Sequence, residues 1–244
     1  MCYNITMKAK SVILMATVGA AAICATAIVI RGTRTSAREQ SKSSASLVAV
    51  TNGVAVVAAA RSQIGITTRY DSAYRSMSYP NGDVPRECGV CTDVIIRALR
   101  DACAVDLQKL VHEDMKANFA KYLQLWGLKK PDTNIDHRRV PNLQCYFKRK
   151  GCSRSVTRKA SDYEPGDFVT VIVGGRLPHI MIVSDKKAAD GTPLVIHNIG
   201  SGTKEENCLF TYPLTGHYRM KKIKAVGCPY GKACGGRLRE VRVF

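Results

Sequence analysis

Three segments far apart in the chain contain the residue types of a nucleophilic hydrolase. Cys91 follows Gly89 and begins a helical pattern, whereas His179 and His197 interrupt two β-branched runs further along. A cysteine attacks as the thiolate, and a helix N-terminus and a neighbouring imidazole both lower the pKa of a thiol. This order of residues predicts acyl transfer on an amide or ester, with Cys91 as the nucleophile and His179 as the base.

The third member of such a site orients the base and fixes its tautomer. His197 is suited to this role. Asn198 is the alternative, although strand alternation puts its side chain on the opposite face of the strand from that of His197. Ordinary structural explanations stand beside the catalytic ones, because free cysteines are usually buried and a buried histidine is often satisfied by a backbone carbonyl.

The polar loop at residues 131–139 supplies a candidate substrate clamp. It contains His137, Arg138 and Arg139, and an arginine guanidinium can hold a carboxylate through two parallel hydrogen bonds. An internal ion-pair network explains the same residues equally well. The sequence leaves both interpretations open.

Cys88 and Cys91 have the spacing of a redox or metal-binding pair. Thioredoxin-like sites place such a pair after a strand of a βαβ unit, and no such unit precedes it here. A zinc site would need a second pair, and Cys228 and Cys234 are too widely spaced to supply one. The sequence therefore predicts no metal and no cofactor, and a thiol oxidoreductase that uses Cys88 and Cys91 is the third-ranked function.

The net charge of +18 lies mostly at the two ends of the chain. Residues 1–46 carry six basic residues and one acidic, and residues 219–244 carry eight and one, which leaves 23 basic and 17 acidic residues between them. A body this mildly basic argues against specific nucleic-acid binding. The main alternative to an enzyme is a basic module that binds anionic polymers or nucleic acid through the chain ends and Arg138 and Arg139.

An uncharged, mostly apolar run occupies residues 11–30, with basic residues on either side. About twenty apolar residues can span a bilayer, so residues 1–32 are predicted to be a signal peptide or membrane anchor. A flexible linker follows at residues 33–46. Two observations favour a cytoplasmic body instead: basic residues are more frequent after the run than before it, and the cysteines beyond the leader are odd in number once Cys91 is set aside.

The body changes from helical to strand periodicity near its middle. Helices are predicted from Leu47 to Gly65, from Cys91 onward, from Leu107 to near Gly127 and from Leu143 to Lys150. Strands are predicted at residues 167–173, 180–184 and 194–199. Helices followed by strands indicate an α+β domain over residues 47–219, with a basic Cys- and Gly-rich tail at residues 220–244.

Seven motifs, in order along the chain, resemble the bacterial family called domain of unknown function 1287, which belongs to the papain-like group of NlpC-type hydrolases. They are GVCTDVIIRALR, DLQKLVHEDM, NIDHRRVPNLQ, DYEPGDFVTV, LPHIMIVSD, VIHNIG and TGHYR, and the similarity spans roughly residues 48–219. The resemblance implies a papain-like α+β fold with N-terminal helices packed on a C-terminal antiparallel, barrel-like sheet. It also implies Cys91 as nucleophile, His179 as base and His197 as third member.

The resemblance further implies a tyrosine that precedes the nucleophile and contributes to the oxyanion site, and Tyr79 matches it. Taken together, the candidate oxyanion and substrate-binding residues are Tyr79, Thr92, Asp93, His137, Arg138, Arg139 and Asn198. Members of the family are typically exported, and cell-wall peptides are the expected substrates.

The combined prediction is a monomeric amidase or peptidase that cleaves an amide bond of peptidoglycan stem peptides. The reaction would use a Cys-His-His triad and a thioester intermediate, without a metal or cofactor. The protein is expected to be periplasmic or otherwise exported, with anchoring to the inner membrane by the N-terminal segment as one option.

Overall fold

The elements of the body follow the predicted order, with helices first and the main sheet second. The structure is a computed structural model that describes residues 52–220 and two short strands outside that range. The helices among these residues are α1 (Gly53–Arg61), α2 (Cys91–Cys103), α3 (Leu107–Ala117) and α4 (Val140–Arg149). The strands are β1 (Val48–Ala49), β2 (Arg69–Tyr70), β3 (Cys88–Gly89), β4 (Ser153–Arg154), β5 (Phe168–Val173), β6 (Leu177–Lys187), β7 (Pro193–Asn198), β8 (Thr203–Glu206), β9 (Leu214–Tyr218) and β10 (Ile223–Lys224).

Local sequence determines where the helices begin and end. α3 begins after Asp106, whose carboxylate accepts the backbone N–H of Gln108 at 3.0 Å, and this is the side-chain cap that helix starts favour. The predicted continuation of this helix to near Gly127 is wrong, because α3 ends at Ala117. Trp126 has a φ of 58°, a left-handed conformation that a right-handed helix cannot contain.

The main sheet has six antiparallel strands in the order β4-β9-β5-β6-β7-β8. The predicted α+β class with an antiparallel sheet is confirmed. The sheet is open, with β4 and β8 at its two edges, so the expectation of a barrel-like sheet is wrong as far as closure is concerned.

Both faces of the central strands are buried. Ile180 and Ile182 of β6 belong to the core cluster that includes residues of α2, whereas Met181 and Val183 belong to a second cluster that includes Leu209. Consecutive residues of a strand point to opposite faces, so apolar side chains cover the sheet on both sides. This explains why residues 180–183 of β6 form a continuous apolar run rather than an alternating pattern.

A Pro-Gly-Asp turn leads into β5 and holds it close to the start of α1. Gly166 has a φ of 86°, and a Cβ at this position would lie 2.5 Å from the Cα of Gly53, so a larger residue does not fit. Asp167 is buried and accepts a hydrogen bond from Nε of Arg219 at 2.7 Å, while Nε2 of His217 lies 2.8 Å away from it. The turn and this buried ion pair join α1, β5 and β9.

The short strands β1 and β10 pair antiparallel, so backbone pairing continues beyond the predicted domain boundary at residue 219. All of the described residues belong to one compact unit. Within them, no helix has both the length and the apolar character to cross a membrane. The predicted leader at residues 1–32, the linker at 33–46 and most of the predicted tail lie outside the described residues.

Candidate active site

Cys91 is the first residue of α2, as predicted. The valine before it has no capping side chain, and Oδ2 of Asp93 accepts the N–H of Val90 at 2.7 Å instead. Nδ2 of Asn198 donates to the carbonyl of Gly89 at 3.0 Å, which ties the segment before the nucleophile to β7. The described hydrogen bonds of Asn198 all involve backbone groups, so this residue positions the helix start rather than an imidazole.

The thiol of Cys91 lies in a buried setting that favours its neutral form. Burial raises its pKa to about 11, and the backbone N–H of Ile180 opposes this shift because it is directed at the sulfur. The carboxylate of Asp93 raises the pKa further. The expectation of a lowered thiol pKa is therefore wrong for this site, in which the thiol of Cys91 is neutral near pH 7.

His179 and His197 are brought together by β6 and β7. Nε2 of His179 lies 2.9 Å from Nδ1 of His197, and Nε2 of His197 lies 3.1 Å from a carboxylate oxygen of Glu206 on β8. Burial, reinforced by His197, lowers the pKa of His179 to about 3. Burial also lowers the pKa of His197, against the opposing effect of Glu206. Both imidazoles are therefore neutral near pH 7.

These contacts determine which nitrogen carries each proton. At neutral pH the carboxylate of Glu206 can only accept, so Nε2–H of His197 donates to it. Nδ1 of His197 then accepts from Nε2–H of His179, which leaves a lone pair on Nδ1 of His179. Among the described residues this nitrogen has no hydrogen-bond partner. It is the atom that can take a proton from a nucleophile.

Cys91 and the segment of β6 that carries His179 border the same space. The N–H of the residue after His179 points at the Cys91 sulfur, and a cavity of about 180 Å³ is lined by both Cys91 and Pro178. The structure thus places the thiol of Cys91 at a helix start beside the strand that carries a neutral, oriented imidazole.

Tyr70, rather than Tyr79, lines the cavity beside Cys91. Burial raises the pKa of Tyr70 to about 12, with a further contribution from the charge of an ionised Cys91. Tyr79 packs its ring edge-on against His112, with the ring centroids 5.2 Å apart, and is not among the residues that line this cavity. The tyrosine that the resemblance implied is therefore better matched by Tyr70, which lies at the end of the short strand β2.

The two neighbouring arginines of the predicted clamp behave differently. Nε and Nη2 of Arg138 donate to the two carboxylate oxygens of Asp93 at 3.0 and 2.9 Å, and both side chains are almost fully buried. The guanidinium of Arg139 instead lies 4.3 Å from the ring centroid of Trp126. Its Nη1 is buried, has no hydrogen-bond partner among the described residues, and belongs to a residue that lines the cavity.

The contacts of Arg138 are therefore those of the internal ion-pair network. Arg139 has a buried donor, Nη1, without a partner among the described residues, so the clamp interpretation of Arg139 stays a prediction.

The remaining candidates are structural. Thr92 is fully buried and its hydroxyl donates to the carbonyl of Arg138 at 3.1 Å. His137 is buried, and burial together with the charge of Arg138 lowers its pKa to about 3. Neither residue lines the cavity that Cys91 borders.

Glu206 is the site residue that the sequence analysis missed. It lies on β8, two residues from Lys204, which is paired directly with His197. The alternation of Thr203, Lys204, Glu205 and Glu206 along an edge strand has no apolar side, so hydrophobic periodicity does not detect it.

The fold and the site together define an α+β protein with a buried cysteine at a small cavity and a His179–His197–Glu206 chain of contacts that begins on the neighbouring strand β6. The chain belongs to the family described as domain of unknown function (DUF1287), whose family profile matches residues 57–220. It is 57% identical over 166 residues to the uncharacterized protein YijF of Escherichia coli (strain K12), a similarity that covers 68% of this chain and 80% of YijF. The predicted membership of the DUF1287 family is confirmed, whereas the placement of the family among NlpC-type hydrolases stays a prediction.

Proposed function

We propose that this protein is a papain-like cysteine hydrolase that cleaves an amide bond in peptidoglycan stem peptides. The observation that carries the proposal is the chain of contacts from Glu206 through His197 to His179, which leaves Nδ1 of His179 as a free base on the strand beside Cys91. A structural histidine pair would not require this carboxylate-directed orientation. The arrangement has the division of roles expected of a nucleophile, a base and an orienting group.

The first half of the reaction forms a thioester. Nδ1 of His179 takes the thiol proton as the Cys91 sulfur attacks the carbonyl carbon, and negative charge develops on the carbonyl oxygen. Backbone N–H groups at the start of α2 and the hydroxyl of Tyr70, which lines the same cavity, would stabilise this oxyanion. The C–N bond then breaks, and the imidazolium of His179 gives its proton to the leaving amine.

The second half hydrolyses the thioester. His179, neutral again, takes a proton from water as the oxygen attacks the acyl carbon, and the proton returns to the sulfur when the C–S bond breaks. The products are the amine, a carboxylic acid and free Cys91. His197 and Glu206 stabilise each imidazolium stage, because the positive charge can be shared along two short contacts.

Arg139 would select the substrate. Its unpartnered Nη1 and the face of Trp126 border the cavity next to Cys91. A stem peptide has free carboxylates near its amide bonds, and a guanidinium can hold such a group through paired hydrogen bonds. Export to the periplasm, with residues 1–32 as leader or anchor, is part of the same proposal.

The test is mass spectrometry of purified muropeptides after incubation with the wild-type protein, Cys91→Ala and Cys145→Ala. Cys145 is a matched control because it is a free cysteine on α4, outside the cavity. We expect cleavage by the wild type and by Cys145→Ala, and none by Cys91→Ala. Cleavage that persists in Cys91→Ala refutes the proposal.

The same samples separate the two alternative functions. Muropeptides that stay intact, together with salt-sensitive binding of the protein to an anionic polymer or nucleic acid, would indicate the binding module. Thiol–disulfide exchange that requires both Cys88 and Cys91, without cleavage, would indicate an oxidoreductase.

A further inference from the structure

A sulfur, a nitrogen and a carboxylate oxygen meet on the side of His197 that faces away from His179. Nε2 of His197 lies 3.5 Å from Sγ of Cys208 and 3.1 Å from Oε2 of Glu206. The ligand atoms of these three residues all lie within 4.8 Å of one another. Nε2 of His197 therefore has two competing partners, the carboxylate of Glu206 and the thiol of Cys208.

The two distances to Nε2 of His197 are close to those of a tetrahedral zinc site. With Zn–S of about 2.3 Å and Zn–N of about 2.0–2.1 Å, tetrahedral angles put the sulfur and the nitrogen roughly 3.6 Å apart. The same calculation puts the nitrogen and a carboxylate oxygen roughly 3.4 Å apart. The observed separations are 3.5 and 3.1 Å, so an ion can enter with small side-chain movements.

We propose that His197, Glu206 and Cys208 bind a zinc-class divalent cation, and that the bound ion switches off the base His179. A thiolate, an imidazole and a carboxylate form a ligand set that zinc accepts, with a fourth position left for water. His179, which holds the other nitrogen of His197, supplies the orienting contact that metal-bound histidines usually have. The side chain of Glu206 is 42% exposed, so the ion has a route from solvent.

The inhibition follows from the positions of the protons and rests on the proposed function. When the metal occupies Nε2 of His197, neutral His197 must carry its proton on Nδ1, and Nδ1–H donates to Nε2 of His179. Neutral His179 must then carry its own proton on Nδ1, where no lone pair remains for the proton of Cys91. The thiol of Cys208 loses one proton to solvent, the two imidazoles keep one each, and nothing is oxidised or reduced.

Metal binding is tested without reference to catalysis. The full chain is freed of metal with a chelator and then titrated with Zn²⁺ against a chromophoric competitor, and Co²⁺ is used to reveal sulfur ligation by its charge-transfer absorption. We expect one tight site in the wild type and binding weakened by about tenfold or more in Cys208→Ser and Glu206→Gln. Cys145→Ser is the matched control and should bind as the wild type does.

The Cys91→Ala variant distinguishes this site from the nucleophile. We expect it to bind Zn²⁺ with unchanged affinity and to retain the cobalt–sulfur absorption. Loss of binding in Cys91→Ala, or equal binding by the wild type and Cys208→Ser, overturns the assignment of the site.

Inhibition is measured separately, with the muropeptide assay. Zn²⁺ should abolish cleavage by the wild type, whereas Cys208→Ser should remain active at the same Zn²⁺ concentration. Stoichiometric binding without inhibition overturns the switch but leaves the metal site standing. If no cleavage is found under any condition, the proposed function fails while the binding experiment still decides the site.

Discussion

Replacing Arg138 and Arg139 separately with methionine should separate a structural arginine from a substrate-binding one. The two residues are adjacent, chemically identical and both line the cavity, but the guanidinium of Arg138 is paired with Asp93 whereas that of Arg139 lies on Trp126. Arg138→Met leaves the carboxylate of Asp93 buried without its partner. Arg139→Met removes only a cation–π contact and an unused donor.

The expected magnitudes differ clearly. Breaking a buried ion pair by removing one partner costs about 3–5 kcal/mol, and the side chains of Arg138 and Asp93 are only 2% and 5% exposed. A partly exposed cation–π contact contributes about 0.5–1 kcal/mol. We therefore expect Arg138→Met to lower the free energy of unfolding by about 3–5 kcal/mol and Arg139→Met by about 1 kcal/mol or less.

Urea unfolding followed by circular dichroism, with linear extrapolation to water, measures both values. The double variant Asp93→Asn/Arg138→Met should regain part of the lost stability, because it buries no unpaired charge. Equal losses for Arg138→Met and Arg139→Met, or a loss below about 1 kcal/mol for Arg138→Met, would refute the assigned roles.

Activity should show the opposite pattern. A hydrogen bond to a charged group contributes about 1.5–3 kcal/mol, so Arg139→Met should raise KM roughly tenfold to a hundredfold for substrates with a free carboxylate. Amidated analogues of the same peptides should be cleaved equally well by the wild type and by Arg139→Met. A similar loss on both kinds of substrate would remove Arg139 from carboxylate recognition.

Two further predictions follow from the pKa shifts. Burial raises the pKa of Cys91 to about 11, so the rate at which iodoacetamide alkylates Cys91 should still rise between pH 8 and about 10. The labelled residue is identified by mass mapping, and a rate that reaches its plateau below pH 8 would contradict the raised pKa. His137 has a pKa of about 3 in the folded protein and about 6.5 when unfolded, so below pH 6.5 the unfolded state takes up the proton first and stability falls as pH falls. Replacing His137 with Gln should therefore reduce the loss of unfolding free energy between pH 7 and pH 4 by about 3 kcal/mol. Urea unfolding at the two pH values measures this loss, and an equal loss in the wild type and in His137→Gln would contradict a neutral, buried His137.

The sequence predicts the elements that carry strong local signals. The helix that starts at Cys91 has clear helical periodicity, and β5, β6 and β7 contain β-branched runs separated by glycine-containing turns; the structure confirms all four elements. The helix from Leu107 is predicted too long, because apolar residues with near-helical spacing continue past Ala117 into a segment of short helical turns. Backbone conformation at single residues such as Trp126 is not encoded in that spacing.

The site is predicted less completely than the fold, because its contacts join distant segments. The resemblance selected Cys91, His179 and His197, and the structure places them on α2, β6 and β7. The sequence could not distinguish Arg138 from Arg139, because only the fold brings Asp93 to Arg138 and Trp126 to Arg139. Glu206 was missed for the same reason, as an edge-strand glutamate acquires a role only when β8 pairs with β7.

The central claim, covalent catalysis by Cys91, is tested most directly by intact-mass analysis of protein that is mixed with stem peptides and quenched in acid. A thioester is stable enough in acid to be mapped after proteolysis. We expect an adduct with the mass of the acyl portion of the substrate, located on Cys91 and absent from Cys91→Ala. Product formation without any adduct, or an adduct located on Cys88 instead, would contradict the proposed mechanism.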